Sequence, residues 1–143
     1  RQVISKAPKF YLFDVGVAGA MTRRSIAEEK GEMFGRAFEH FIYMELAAHA
    51  SYSGLNYDIH FWRTKSGLEV DFVLGAGAVA VEVKGTSRVD DRDLRPLTAF
   101  SGEHKPRKAI VVSNERTPRV VGGISIMPWR EFLAALWSGS IMK

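Results

Sequence analysis

The residues best suited to chemistry in this chain are Asp71 in Glu69-Val-Asp71 and the pair in Glu82-Val-Lys84, with Glu39 lying upstream. Their carboxylates are hard oxygen donors of the kind magnesium and manganese prefer, and Lys84 supplies one nearby cation. Cysteine is absent, so disulfides, thiol nucleophiles and thiolate metal sites are excluded, and oxygen and imidazole remain as ligands. The pattern E-x-K alone says little, because average composition yields roughly one occurrence in every two chains of this length. It occurs at Glu28/Lys30, Glu82/Lys84 and Glu103/Lys105, and only Glu82/Lys84 lies in an apolar strand-like run.

Pairing that run with its predecessor gives the acids a common address. A two-residue loop at Ala76–Gly77 sets Gly75 opposite Ala78, Asp71 opposite Glu82 and Glu69 opposite Lys84. One face of the ribbon then carries Val70, Phe72, Leu74, Val79, Val81 and Val83. The other carries Glu69, Asp71, Val73, Ala80, Glu82 and Lys84. A slip of one residue would pair acids with valines and destroy this separation. Opposed like charges destabilise a sheet by a few tenths to about 1 kcal/mol. A divalent ion between Asp71 and Glu82 would turn that repulsion into coordination; a solvated sheet face is the competing expectation.

The elements that must hold this hairpin are readable from periodicity. Met33–His49 has helical spacing, with Phe34, Phe38, Phe41, Ile42 and Leu46 on one face, Glu39 at its edge and Glu45 nearer its centre. Strands are expected at Tyr57–Trp62, Leu68–Leu74 and Ala78–Lys84, joined by turns at Lys65–Gly67 and Gly75–Gly77. A helix over Asp91–Phe100, strands at Lys108–Ser113 and Ile124–Met127 and a helix over Trp129–Trp137 complete the order. Residues 9–20 form an apolar run broken at Asp14, a possible helix cap, and Thr22–Glu32 reads as a polar loop or solvated turn of helix. The pattern is that of an α/β sandwich with a mixed sheet between helices.

At 143 residues the chain is expected to be a single domain over 1–143, with a core that needs no staples. Its 20 basic and 16 acidic residues give a formal charge of +4, which modestly favours a polyanionic partner. No apolar run is long enough to cross a bilayer and no signal peptide is visible, so a cytoplasmic protein is expected. There is no GxxxxGK[ST] phosphate loop. The chain starts at Arg1 and runs straight into ordinary globular sequence, as expected of a C-terminal piece of something longer.

Taken together, these residues resemble the PD-(D/E)xK superfamily of restriction-endonuclease-like folds. Gly35-Arg-Ala-Phe-Glu39, Glu69-Val-Asp71 and Glu82-Val-Lys84 match its motifs, and the order of elements from residue 33 to 113 matches its αβββαβ core. Wider stretches, KFYLFDVG, FGRAFEHFIYMEL, FWRTKSGLEVDFVL, VEVKG and IMPWREFLAAL, resemble the nuclease-like domain of uncharacterised function that follows an AAA-type ATPase domain in many bacterial and archaeal proteins. Val70 stands where the superfamily has proline before the motif aspartate.

The resemblance implies a magnesium- or manganese-dependent phosphodiesterase acting on nucleic acid, DNA ahead of RNA, with an attached ATPase domain as partner. Asp71, Glu82 and the backbone carbonyl of Val83 would hold the metal. Glu39 would orient the attacking water or serve a second ion, and Lys84 would position that water or steady the transition-state charge. The alternative is a catalytically inactive nucleic-acid-binding or interaction module serving the ATPase.

Other residues are expected to play lesser parts. Glu45 is either the buried partner of an arginine or a second site acid, and Glu69 is expected to pair with Lys84. Arg63, Lys65 and Arg88 are candidate phosphate contacts, as are Arg92 and Arg95, which alternate with Asp90, Asp91 and Asp93 and so invite local pairing. His40, His49, His60 and His104 lack metal-binding spacing, and Trp62, Trp129 and Trp137 are expected to pack.

Overall fold

The computed structural model of the chain describes residues 3–6 and 32–143. The expectations for the apolar run at 9–20 and the polar stretch from Thr22 lie outside the described residues, except that Glu32 already opens the first helix.

Helix α1 (Glu32–Tyr52) buries Phe38, Ile42 and Leu46, spaced four residues apart as one helical face requires. Strand β1 (Val3–Lys6) forms one sheet edge, antiparallel to β2 (Ile59–Arg63). The meander continues through β3 (Glu69–Leu74) and β4 (Val79–Lys84). Helix α2 (Asp91–His104) then crosses over to β5 (Lys108–Ser113), which lies parallel to β4. The chain ends in β6 (Arg119–Val121), β7 (Ile124–Pro128) and α3 (Trp129–Trp137). Among the described residues the sheet is seven-stranded and mixed, in the order β1-β2-β3-β4-β5-β7-β6.

Two apolar layers cover it. On one face α1 and α3 bury Phe38, Ile42, Leu46, Phe132 and Leu136 against Phe72, Leu74, Val79, Val81, Val83, Ile110 and Val112. On the other, α2 buries Leu94, Leu97 and Phe100 against Trp62, Val70, Val73, Ala80, Val111 and Ile126. Each fully buried large side chain contributes about 1.5–3 kcal/mol by leaving water. Helix α2 starts at Asp90, which accepts from Arg92 N–H and Asp93 N–H while Asp93 caps back. The helix runs past the expected end at Phe100 to His104, where Lys105 closes it in a left-handed conformation at φ 49°.

The meander has the expected register. Phe72 faces Val81, Val73 faces Ala80 and Leu74 faces Val79. The loop differs: Ala78 N–H donates to Leu74 carbonyl at 3.0 Å, so pairing begins at Leu74 and Val79 rather than at Gly75 and Ala78. Gly75, Ala76 and Gly77 all take positive φ (59°, 58° and 91°), which explains the two glycines.

A second difference bears on the site. His60 faces Val73 and Trp62 faces Val70, so Phe61 alone opposes both Asp71 and Phe72. This β-bulge moves Val70 to the α2 face with Trp62, while Phe72 and Leu74 stay on the α1 face. The expectation that Val70 shares a face with Phe72 is corrected: strict alternation has no place for the extra residue.

Beyond β5, buried Glu115 ties three segments together. It accepts from Val89 N–H at 2.8 Å and from Arg119 Nε at 2.9 Å, and Arg119 also donates to Val89 carbonyl at 2.8 Å. The hydrogen bond from Arg119 is the main cause holding the Glu115 carboxyl below its usual range. A depressed carboxylate contributes stability above its unfolded pKa that is lost as pH falls through the folded value. Glu115→Gln should therefore lower stability at neutral pH by about 1.5–3 kcal/mol and flatten the acid limb of a urea-stability profile against pH.

At the end of α1, Tyr57 Oη donates to Leu46 carbonyl at 3.1 Å, which leaves His49 Nδ1 as the donor in the 2.9 Å contact between them. Burial pushes the Tyr57 phenol up to about 12 and holds His49 below its ordinary value. A histidine depressed by folding costs stability as pH falls below its unfolded value of about 6.5. His49→Gln should remove that part of the acid destabilisation, read as a smaller drop in melting temperature between pH 7 and pH 5.

Candidate functional site

Asp71 sits at the bulge, one residue outside the last paired position of the β3–β4 ladder. There its Oδ2 accepts from Val83 N–H at 2.9 Å, so a side-chain carboxylate stands in for the backbone carbonyl of a neighbouring strand. Asp71 is 9% exposed and Glu82, one residue before Val83, is 3% exposed. The competing expectation of a solvated sheet face is therefore overturned. Carboxylates survive at such burial only where hydrogen bonds, cations or a metal offset lost hydration.

Glu82 and Lys84 alternate along β4 with Val81 and Val83, whose side chains belong to the α1 layer. Lys84 is half-buried and closes the strand opposite Ser113 of β5. The next residue, Gly85, lies against α1. A Cβ there would come within 2.8 Å of the Phe34 ring and 3.7 Å of Phe38 Cβ. Glu39 follows Phe38 on α1 and is half-buried, so the helix turn that carries it packs at the end of the E-x-K segment. Among the described residues, no three His, Cys, Asp or Glu side chains stand close enough together to hold a metal ion. Asp71 and Glu82 occupy neighbouring strands, but strand alternation sets Glu82 and Lys84 on the Ala80 side of the sheet while α1, which carries Glu39, packs on the Val81 and Val83 side, so the expected trio of Glu39, Asp71 and Glu82 is not gathered.

The remaining candidates resolve individually. Glu45 accepts from the indole of Trp137 at 2.8 Å and links α1 to α3, where a partnership with an arginine or a place among the site acids was expected. Glu69 pairs with Arg63 of β2 at 3.0 Å, where pairing with Lys84 was expected; the bulge shifts β3 relative to β2 and brings the two opposite. Arg63 remains exposed beside the Phe61 ring, Lys65 is exposed in the β2–β3 turn, and Arg88 is exposed in the loop after β4. Arg92 pairs with Asp90 at 3.1 Å, as the alternating charges suggested. Trp62 packs edge-on to Phe100, Trp129 to Phe41 and Trp137 to His49, which are packing roles. Sequence reasoning proposed the Val83 carbonyl as a ligand and missed its N–H as the partner of Asp71. Only the bulge could have signalled it.

Fold and site define a mixed α/β domain with two carboxylates buried on adjacent strands at one end of its sheet. The chain belongs to the DUF4143 family, described as a domain of unknown function, whose model matches residues 34–132. That span runs from the first turn of α1 into α3 and includes every residue of the candidate site. No curated protein and no solved structure matches the chain.

Asp71→Ala would leave the buried Val83 N–H without its acceptor and should cost about 1–3 kcal/mol. Asp71→Asn keeps an oxygen at that position and should cost less than half as much. Urea unfolding of the two variants measures the difference.

Proposed function

We propose that this domain is a magnesium- or manganese-dependent phosphodiesterase acting on nucleic acid, DNA ahead of RNA, built on a restriction-endonuclease-like core of the PD-(D/E)xK type. The carrying observation is the burial of Asp71 and Glu82 on neighbouring strands, with Asp71 at a bulge and fixed by Val83 N–H. The order α1-β2-β3-β4-α2-β5 is the αβββαβ order of that core and supports the assignment.

The donors are of the type a hard cation takes: Asp71, Glu82 and the Val83 carbonyl would hold it, while Glu39 on α1 is not gathered with them among the described residues and would act through water. When bound, such an ion polarises a phosphoryl oxygen and makes hydroxide accessible near neutral pH. The chain's own groups do the rest. The Val83 N–H donates to Asp71 Oδ2 and restrains the orientation of its carboxylate. Lys84, half-buried beside the pair, stabilises negative charge as it develops on the phosphoryl group. Glu39 orients the attacking water. An attached AAA-type ATPase domain would be the covalent partner.

The chain incubated with supercoiled plasmid and manganese should nick it. Asp71→Asn and Glu82→Gln should each lower the rate by about 10²-fold or more, as loss of a principal electrostatic group does. Equal nicking by wild type and both variants would reject the proposal.

A second reading, a non-catalytic module serving the ATPase, is favoured by the absence of a gathered three-ligand group among the described residues. Calorimetry separates the two: manganese heat that Asp71→Asn removes supports the phosphodiesterase, and its absence from the wild type supports the module.

A further inference from the structure

A cleft of about 640 Å³ opens off the ends of β4, β5 and β7, on the same end of the sheet as the carboxylates. The topology makes it. Parallel strands β4, β5 and β7 finish side by side, with Lys84 opposite Ser113 and Ser113 opposite Pro128. The segments that follow β4 and β5 stay joined, with Asn114 N–H donating to Thr86 carbonyl at 3.0 Å, and Pro128 leads directly into α3. Crevices outside the carboxyl ends of parallel strands are the usual ligand sites of open α/β sheets.

Its lining is basic. Arg88, Arg116 and Arg130, from three separate loops and helix starts, are all exposed and all border the cleft. Ser87, Asn114 and Thr117 add hydroxyl and amide groups that donate to anions. Of the two acids on the wall, Glu115 is tied to Arg119 and also acts on Arg88, so three arginines stand against Glu131 and an acid already matched by Arg119. The Arg130 guanidinium lies 4.5 Å above the Trp129 ring, so stacking holds its planar fork before any ligand arrives. The Glu115–Arg119 tie likewise fixes the loop that carries Arg116.

Glu82 pairs with Val111 of β5, and Asn114 lies three residues beyond Val111. At about 3.3 Å per residue, the cleft wall begins about 10 Å past the carboxylate, within reach of a neighbouring nucleotide. We infer that this cleft binds the phosphate backbone of a nucleic-acid strand passing the carboxylate pair, with Arg88, Arg116 and Arg130 as its contacts. The inference deepens the phosphodiesterase reading, on which it rests for the identity of the anion's carrier.

Binding without cutting tests it. The 143-residue chain, kept in EDTA, is titrated into a fluorescein-labelled single-stranded oligonucleotide at a series of salt concentrations. Each phosphate contact on a single strand contributes about 0.7 to the slope of log K against log salt. The triple substitution Arg88→Ala, Arg116→Ala, Arg130→Ala should therefore lower the slope by about 2 and weaken low-salt binding at least tenfold. Arg116→Lys, which keeps the charge, should leave the slope as in wild type. Arg107→Ala, before β5 at the other end of the sheet, is the reference. Wild-type affinity in the triple variant, an equal loss from Arg107→Ala, or no binding by the wild type would each overturn the inference. Slope loss in a protein that cuts nothing with manganese upholds the cleft and sinks the phosphodiesterase. Cutting without slope loss does the opposite.

Discussion

The hydrogen bond from Val83 N–H to the Asp71 carboxylate is the constraint on which the candidate site depends. A strand interior normally passes its N–H groups to carbonyls of the next strand. Here the β3–β4 ladder stops at Phe72 and Val81, and a side chain enters in place of backbone. The bulge makes this possible, because an extra residue on β3 lets Asp71 leave the alternation of its neighbours. A shorter β3 would restore the ladder and return Asp71 to one face or the other. The local disorder of register is therefore what aims the carboxylate.

Burial gives that aim its chemical weight. At 9% and 3% exposure, Asp71 and Glu82 lie where a charge interacts far more strongly than in water and where an uncompensated one is costly. The strand that carries Glu82 is packed on both faces: Val79, Val81 and Val83 lie in the α1 layer, and Ala80 in the α2 layer. Gly85 lets α1 approach closely enough for Phe34 and Phe38 to cover the end of β4.

The strands and the pairing of β3 with β4 were legible because alternation and the Gly75-Ala76-Gly77 turn leave one register that keeps acids off valines. Helix α1 was legible from the spacing of Phe38, Ile42 and Leu46, although its end at Tyr52 runs past the apolar pattern because Ala50 still packs. The bulge was not legible, since Val70, Phe72 and Leu74 read as one uninterrupted face; an extra residue leaves no mark in a binary pattern when both faces are apolar. Strands β1 and β6 are short edges, and β6 lies between Pro118 and a double glycine, where propensity argues for loop. Glu45 looked like a site acid because its partner, Trp137, is 92 residues away. Contacts at that separation are decided by helix packing alone.

That last point extends to the basic cleft. Arg88, Arg116 and Arg130 are scattered in sequence, and only the finish of three parallel strands on one line brings them together. The division is physically reasonable. Carboxylates that must hold a small ion need sub-ångström placement, which strands provide. Guanidinium groups that follow a flexible polyanion tolerate looser placement, which loops and a helix start provide. Even so, two of the three are stiffened: Arg130 by the face of Trp129, and the Arg116 loop by the Glu115–Arg119 pair. A loop kept only for solubility would gain nothing from holding its charges in place. Pre-ordering reduces the entropy lost when an anion is bound, so the stiffening favours a cleft that receives a ligand over a surface that merely sheds water.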